Sequence, residues 1–154
     1  MEETKEKKVK FKPSSKMVKM PTEVKIPQSS SELIVLTKTK DLVKYIFQVS
    51  KNSPKKYRQT FINRLQNLGL DIVENMYLAN DILIAKDDNQ SYQQRLLFQK
   101  QANTKLKLLE YFAMLAYESD CILFRHYEQI AKQGAKCAIL LGNWISSDKR
   151  RMEK

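Results

Sequence analysis

The chain has 154 residues, with 28 lysines and arginines against 17 aspartates and glutamates, a formal net charge of +11. That length is most simply one domain with a real core, and the charge favours a polyanionic partner such as RNA, DNA or an anionic surface over a neutral small molecule. No apolar run approaches the ~20 residues of a membrane span, and the lysine-rich start leads into no apolar signal segment, so a cytoplasmic protein without membrane association is expected.

Residues 1–28 carry eight lysines from Lys5 to Lys25, together with Pro13, Pro21 and Pro27 and few large apolar side chains. Such a segment buries too little surface to offset its chain entropy, so a disordered basic arm is expected. Its Met17, Val18, Met20, Val24 and Ile26 offer a docking strip for a protein. Ser29 followed by Glu32 forms a capping box, which predicts a first helix. In that helix Val35, Leu42 and Val49 repeat at seven, while Lys38, Lys44 and Lys51 fall away from the apolar face. The short connection Lys51, Asn52, Ser53 predicts an antiparallel neighbour.

The second helix is expected to run unbroken from Ser53 to Lys86, with Phe61, Leu65, Leu68, Ile72, Met76, Ala79 and Leu83 on one face. Ser53 is its expected cap and Pro54 its first residue. A polar turn at 86–90 leads to a capping box at Ser91 and Gln94 and a third helix ending near Glu118. Its stripe is Tyr92, Leu96, Ala102, Leu106, Leu109, Ala113 and Ala116, and its apolar character predicts cover on a second side by another subunit. After a connection at Ser119 to Leu123, a fourth helix is expected from Phe124 to Ser147. Tyr127, Ile130, Gly134, Cys137, Leu141 and Trp144 form its inner line, and 148–154 is read as a basic tail. All three glycines, Gly69, Gly134 and Gly142, fall inside these helices, where each costs about 1 kcal/mol relative to alanine; close helix approach is the expected reason. The domain plan is therefore a basic arm (1–28), an all-α up-down-up-down antiparallel four-helix bundle (29–147) and a basic tail (148–154).

Catalytic chemistry is not expected. The sole histidine, His126, reads as a surface or capping residue, and no Glu-x-x-His pair supports di-iron chemistry. Cys121 and Cys137 lack ligand spacing and read as small buried thiols. No glycine lies in a phosphate-cradling loop, and no nucleophile, base and orienting group stand together. Neither a metal nor a cofactor is called for.

What remains is surface charge. Lys55 and Lys56 stand in the first turn of the second helix, where the dipole disfavours cations by roughly 0.3 to 1 kcal/mol each, a frustration better explained by function than by stability. With Arg58 and the exposed amides they suit phosphate oxygens. Arg64, Arg95, Lys100, Lys105, Lys107, Lys132 and Lys136 extend this candidate nucleic-acid-binding set along the helices, and Arg125 adds charge to the fourth.

Two stretches carry a family resemblance: Ser53-Pro54-Lys55-Lys56-Tyr57-Arg58 opening the long second helix, and Leu140-Leu141-Gly142-Asn143-Trp144-Ile145 near the end of the last. With the helix order and loop lengths between them, residues 30–147 resemble the Avd-like four-helix proteins, the accessory variability determinants of diversity-generating retroelements, whose relatives are the ribosomal-RNA intervening-sequence proteins. The resemblance implies a homopentameric barrel that binds nucleic acid and associates with the retroelement reverse transcriptase, supporting cDNA synthesis from template RNA in mutagenic retrohoming. It matches Lys55, Lys56 and Arg58 to the family's basic helix start, and Gly142 and Trp144 to its packing motif. The alternative expectation is a structural or adaptor bundle of the intervening-sequence type whose partner is protein alone.

Overall fold

Four amphipathic helices cover one another's apolar stripes in a computed structural model, which describes residues 31–154 and the side chains from 34 onward. The expected basic arm and the Ser29/Glu32 capping box lie outside those residues. The helices are α1 (Ser31–Ser50), a single turn α2 (Lys55–Tyr57) that continues through a π-helical segment (Arg58–Ile62) into α3 (Asn63–Asp81), then α4 (Asn89–Glu118) and α5 (Phe124–Glu153). There is no strand among the described residues, and no helix there is long and apolar enough to cross a membrane. Each long helix packs chiefly on two others: α1 on α3 and α5, and α4 on α3 and α5.

The core draws on all four. Val35, Leu42 and Ile46 of α1, Leu65, Ile72 and Met76 of α3, Leu109 of α4, and Ile130, Leu141 and Trp144 of α5 are essentially inaccessible to solvent. Fully buried Ala79, Ala102, Ala113 and Ala116 let α3 and α4 approach closely. Buried hydroxyls are satisfied locally: Thr39 Oγ1 donates to the Val35 carbonyl at 2.8 Å, and Ser50 Oγ to that of Ile46 at 2.6 Å. Gln66 Nε2 then donates to Ser50 Oγ at 2.9 Å, joining α3 to α1.

Four boundaries and one interior segment differ from expectation. The second helix is not one α-helical rod from Ser53 to Lys86. Pro54 precedes the first turn with an extended backbone (ψ 136°), and Ser53, instead of capping it, donates its hydroxyl to the Cys121 carbonyl at 3.0 Å. At Arg58–Ile62 the pattern widens, so that the Asn63 amide donates to the Arg58 carbonyl. The extra residue brings Ile62, rather than Phe61, into the core. The helix ends at Asp81, Ile82 turns extended (ψ 111°), and Leu83, expected on the stripe, is 86% exposed.

Helix α4 is capped by Asp88, not Ser91. The carboxylate accepts from the Ser91 hydroxyl at 2.6 Å and the Ser91 amide at 3.0 Å, bonds that hold its pKa below the ordinary carboxylate range. It ends as expected at Glu118. There the Cys121 amide reaches the Ala116 carbonyl and the Asp120 amide that of Tyr117, a Schellman turn with Asp120 in the left-handed region (φ 59°). Helix α5 runs on past Ser147 to Glu153, so most of the expected tail is helical.

The glycine expectation holds at one position. A Cβ on Gly69 would stand 3.1 Å from Val43 Cγ2, whereas at Gly134 and Gly142 it would meet nothing within 4 Å. Helix approach within the chain therefore accounts for neither of the latter two.

Trp144 is the largest fully buried side chain, and the Arg95 guanidinium stands 5.1 Å from its ring. Truncation leaves a cavity among the inner positions of α5 and its neighbours. Trp144→Ala should lower stability by about 3 to 5 kcal/mol, read from the denaturant midpoint at unchanged slope; an unchanged midpoint would contradict this packing.

Candidate nucleic-acid interface

Of the ten cations expected to meet nucleic acid, Lys55, Lys56, Arg58, Arg64, Lys100, Lys107, Lys132 and Lys136 are exposed. None of these eight has an acidic side chain within ion-pair distance among the described residues. Lys105 is half-buried and reaches Asp71 of α3 at 3.4 Å. Arg95 departs from the expected set altogether.

The eight do not converge on one spot. Lys55, Lys56 and Arg58 stand at the bundle end formed by the α1–α2 connection. There Arg58 Nε donates to the Ser53 carbonyl at 2.9 Å, and Lys56 Nζ lies 5.2 Å from the Tyr57 ring, itself stacked on Phe61. The first turn is thus an aromatic-backed basic corner, anchored to the α4–α5 connection through the bond from Ser53 to Cys121. Arg64 lies over Phe112, between α3 and α4. Lys107 borders the groove between α4 and α5, with Leu106, Ile130, Gly134 and Ala138. Lys136 borders a different groove, between α1 and α5, with Lys38, Asp41, Gln129 and Gln133.

Arg95 is 3% exposed, and its Nε and Nη2 donate to the two carboxylate oxygens of Asp148 at 2.7 and 2.9 Å. Its Nη1 donates to the Ile82 carbonyl at 3.1 Å. Asp148 is fully buried and also accepts from Gln99 Nε2 at 2.9 Å. A guanidinium spent on this bidentate pair is closed to phosphate, so Arg95 is structural. The signal lay in helical phase: Arg95 and Gln99 continue the line of Ala102, Leu106 and Leu109, and Asp148 continues that of Cys137, Leu141 and Trp144. Opposite charges on two inner lines mark a buried pair.

His126 sits at the start of α5, where its Nδ1 accepts the Leu123 amide at 3.2 Å and its ring meets Tyr45 edge-on. Burial, with Arg125 beside it, lowers its pKa. Cys121 and Cys137 are buried free thiols, and desolvation raises both. No group of three or more His, Cys, Asp or Glu side chains gathers as a metal site among the described residues.

The fold is that of a helical bundle. No family model and no curated protein matches the chain. Its fold is similar to that of a solved protein of unknown function from the S23 ribosomal protein family of Bacteroides thetaiotaomicron VPI-5482. The two are 18% identical over 76% of this chain and 99% of that one, with a TM-score of 0.62.

Removing one partner of a buried ion pair strands the other charge. Asp148→Ala should destabilise the bundle by about 3 to 5 kcal/mol, whereas the double replacement Arg95→Met with Asp148→Leu should recover most of that loss. Chemical denaturation of the two variants checks both; a double variant as unstable as the single would show that shape, not charge, dominates here.

Proposed function

We propose that this chain is a non-catalytic nucleic-acid-binding accessory subunit. In this reading it associates in the cytoplasm with a diversity-generating retroelement reverse transcriptase and its template RNA, and supports cDNA synthesis in mutagenic retrohoming. The observation that carries the reading is the eight exposed cations without acidic partners among the described residues, on a chain of net charge +11. Unneutralised lysine and arginine on a rigid scaffold suit a phosphate backbone and carry little base preference. The Avd-like motifs favour the same reading.

We take the bundle to be up-down-up-down and antiparallel. Cross-helix pairs support this: Ser50 meets Gln66 while the earlier Thr39 meets the later Met76, and Asp71 meets Lys105 while the later Ile82 meets the earlier Arg95. A homo-oligomer, five-fold by family resemblance, is also proposed. Leu97, Leu108 and Tyr111 lie on the outer face of α4, spaced for one stripe and 38 to 54% exposed. The same stripe also favours the second reading, an adaptor bundle whose partner is protein alone.

Two measurements test these proposals. In fluorescence-anisotropy titrations of structured RNA and duplex DNA, affinity should fall by ~10³ or more between 50 and 200 mM salt if six or more phosphates are engaged. Replacing Lys55, Lys56 and Arg58 together by glutamine should flatten that slope by about two to three contacts and barely change stability. No binding of either nucleic acid at the lower salt hands the case to the adaptor. Light scattering should give a mass several-fold above the 18.1 kDa protomer, and a clean monomer would sink the ring.

A further inference from the structure

The outer surfaces of this bundle differ in character. The outer face of α4 exposes Leu97, Leu108 and Tyr111, and the α4–α5 corner exposes Phe124 and Tyr117. The groove between α1 and α5 is the opposite case. Its lining is entirely polar: Lys38 and Asp41 from α1, Gln129, Gln133 and Lys136 from α5. It spans about 230 Å³ and contains a single carboxylate.

Helical phase extends the charge of this groove along α5. Lys132 stands one turn before Lys136, and Arg150 lies fourteen residues beyond it, close to four turns, so the three share a side of the helix with Lys154 beside them. All four are exposed. The distal part is well held, because Asp148 is fixed to α4 by Arg95 and Gln99 one turn before the chain's last residues. Arg151 leans on the same carboxylate at 3.6 Å. Lys149 and Glu153 pair on the surface at 3.9 Å, a contact that water screens and a phosphate can replace.

Resting on the nucleic-acid reading above, we propose that the α1–α5 groove is the track along which the phosphodiester backbone lies, running from Lys132 and Lys136 to the C-terminal turn at Arg150 and Arg151. The two glutamine amides between the cations donate to phosphate and sugar oxygens, the usual complement of a backbone-tracking surface. From Lys132 to Lys154 the helix rises roughly 33 Å, enough for several successive phosphates. An anionic membrane is the poorer occupant, since the groove lining is wholly polar and Ile139, in phase with Lys132, is the one large apolar side chain exposed between Lys132 and Lys154, too little to enter the acyl boundary. The track leaves the apolar face of α4 clear for protein contact.

The test compares two sets of glutamine substitutions in the full chain, titrated against single-stranded RNA and duplex DNA at several salt concentrations. The groove variant carries Lys132→Gln, Lys136→Gln, Arg150→Gln and Arg151→Gln. The control carries Lys40→Gln and Lys86→Gln, exposed cations outside the set proposed to meet nucleic acid, the first lying over Tyr77 of α3 and the second in the α3–α4 connection. Four lost contacts should flatten the slope of log affinity against log salt by about three, and the control should leave it unchanged. Matching melting midpoints establish that both variants are folded. A groove variant with the wild-type slope, or a control that loses as much slope as the groove variant, overturns the track while the nucleic-acid reading stands. Wild-type protein that binds neither probe at 50 mM salt removes that reading and the track with it.

Discussion

A single guanidinium ties together the far end of this molecule. Arg95 rises from α4, grips the carboxylate of Asp148 near the end of α5, holds the Ile82 carbonyl just past α3, and lies beside the Trp144 indole. Three helices are thereby fixed in axial register by one side chain. Apolar stripes alone do not do this well, because a helix can slide by a turn and still present leucines to leucines. A buried ion pair tolerates no such slip, since displacement leaves a charge without partner in a low-dielectric interior. We read the pair as a register device, which contributes less to net stability than to the choice of one packing.

The same pair explains where sequence reading failed. Ile82, Leu83 and Ile84 continue the apolar spacing of α3, so periodicity alone carries the helix onward. The backbone instead turns extended at Ile82, whose carbonyl meets a side chain thirteen residues later. Local pattern cannot register that competitor. Asp148, followed by Lys149, Arg150 and Arg151, reads as the first residue of a solvated tail, and Arg95 as one more surface cation. Both lie in phase with the inner lines of their helices, but a charge on an inner line becomes meaningful only when its opposite is seen across the gap.

Other features were legible for simple reasons. The end of α4 at Glu118, the connection through Leu123 and the start of α5 at Phe124 follow a break in periodicity that no tertiary contact overrides. Ile72, Leu109, Leu141 and Trp144 fall on strong stripes and are buried. The charged surface was legible as residue types and not as geometry. Sequence shows how many lysines a helix carries; it does not show that Lys107 and Lys136 border different grooves, one beside small apolar residues and the other beside glutamines.

The wide turn at Arg58–Ile62 has an evolutionary side. A π segment is an α-helix that has accepted one residue too many without giving up its hydrogen bonds. Deleting any one residue within it would restore the ordinary pitch and leave everything from Asn63 onward in place. What precedes it would stay in place as well, because the bond from the Asn63 amide to the Arg58 carbonyl already sets Arg58 one full turn below Asn63, the station that an ordinary α-helix gives to the fourth residue back. The wide turn absorbs its extra residue locally, so a chain can gain or lose one position there while Lys55, Lys56 and the bond from Ser53 to the Cys121 carbonyl keep their places, which makes this segment a point where related chains can diverge in length without diverging in how they fold.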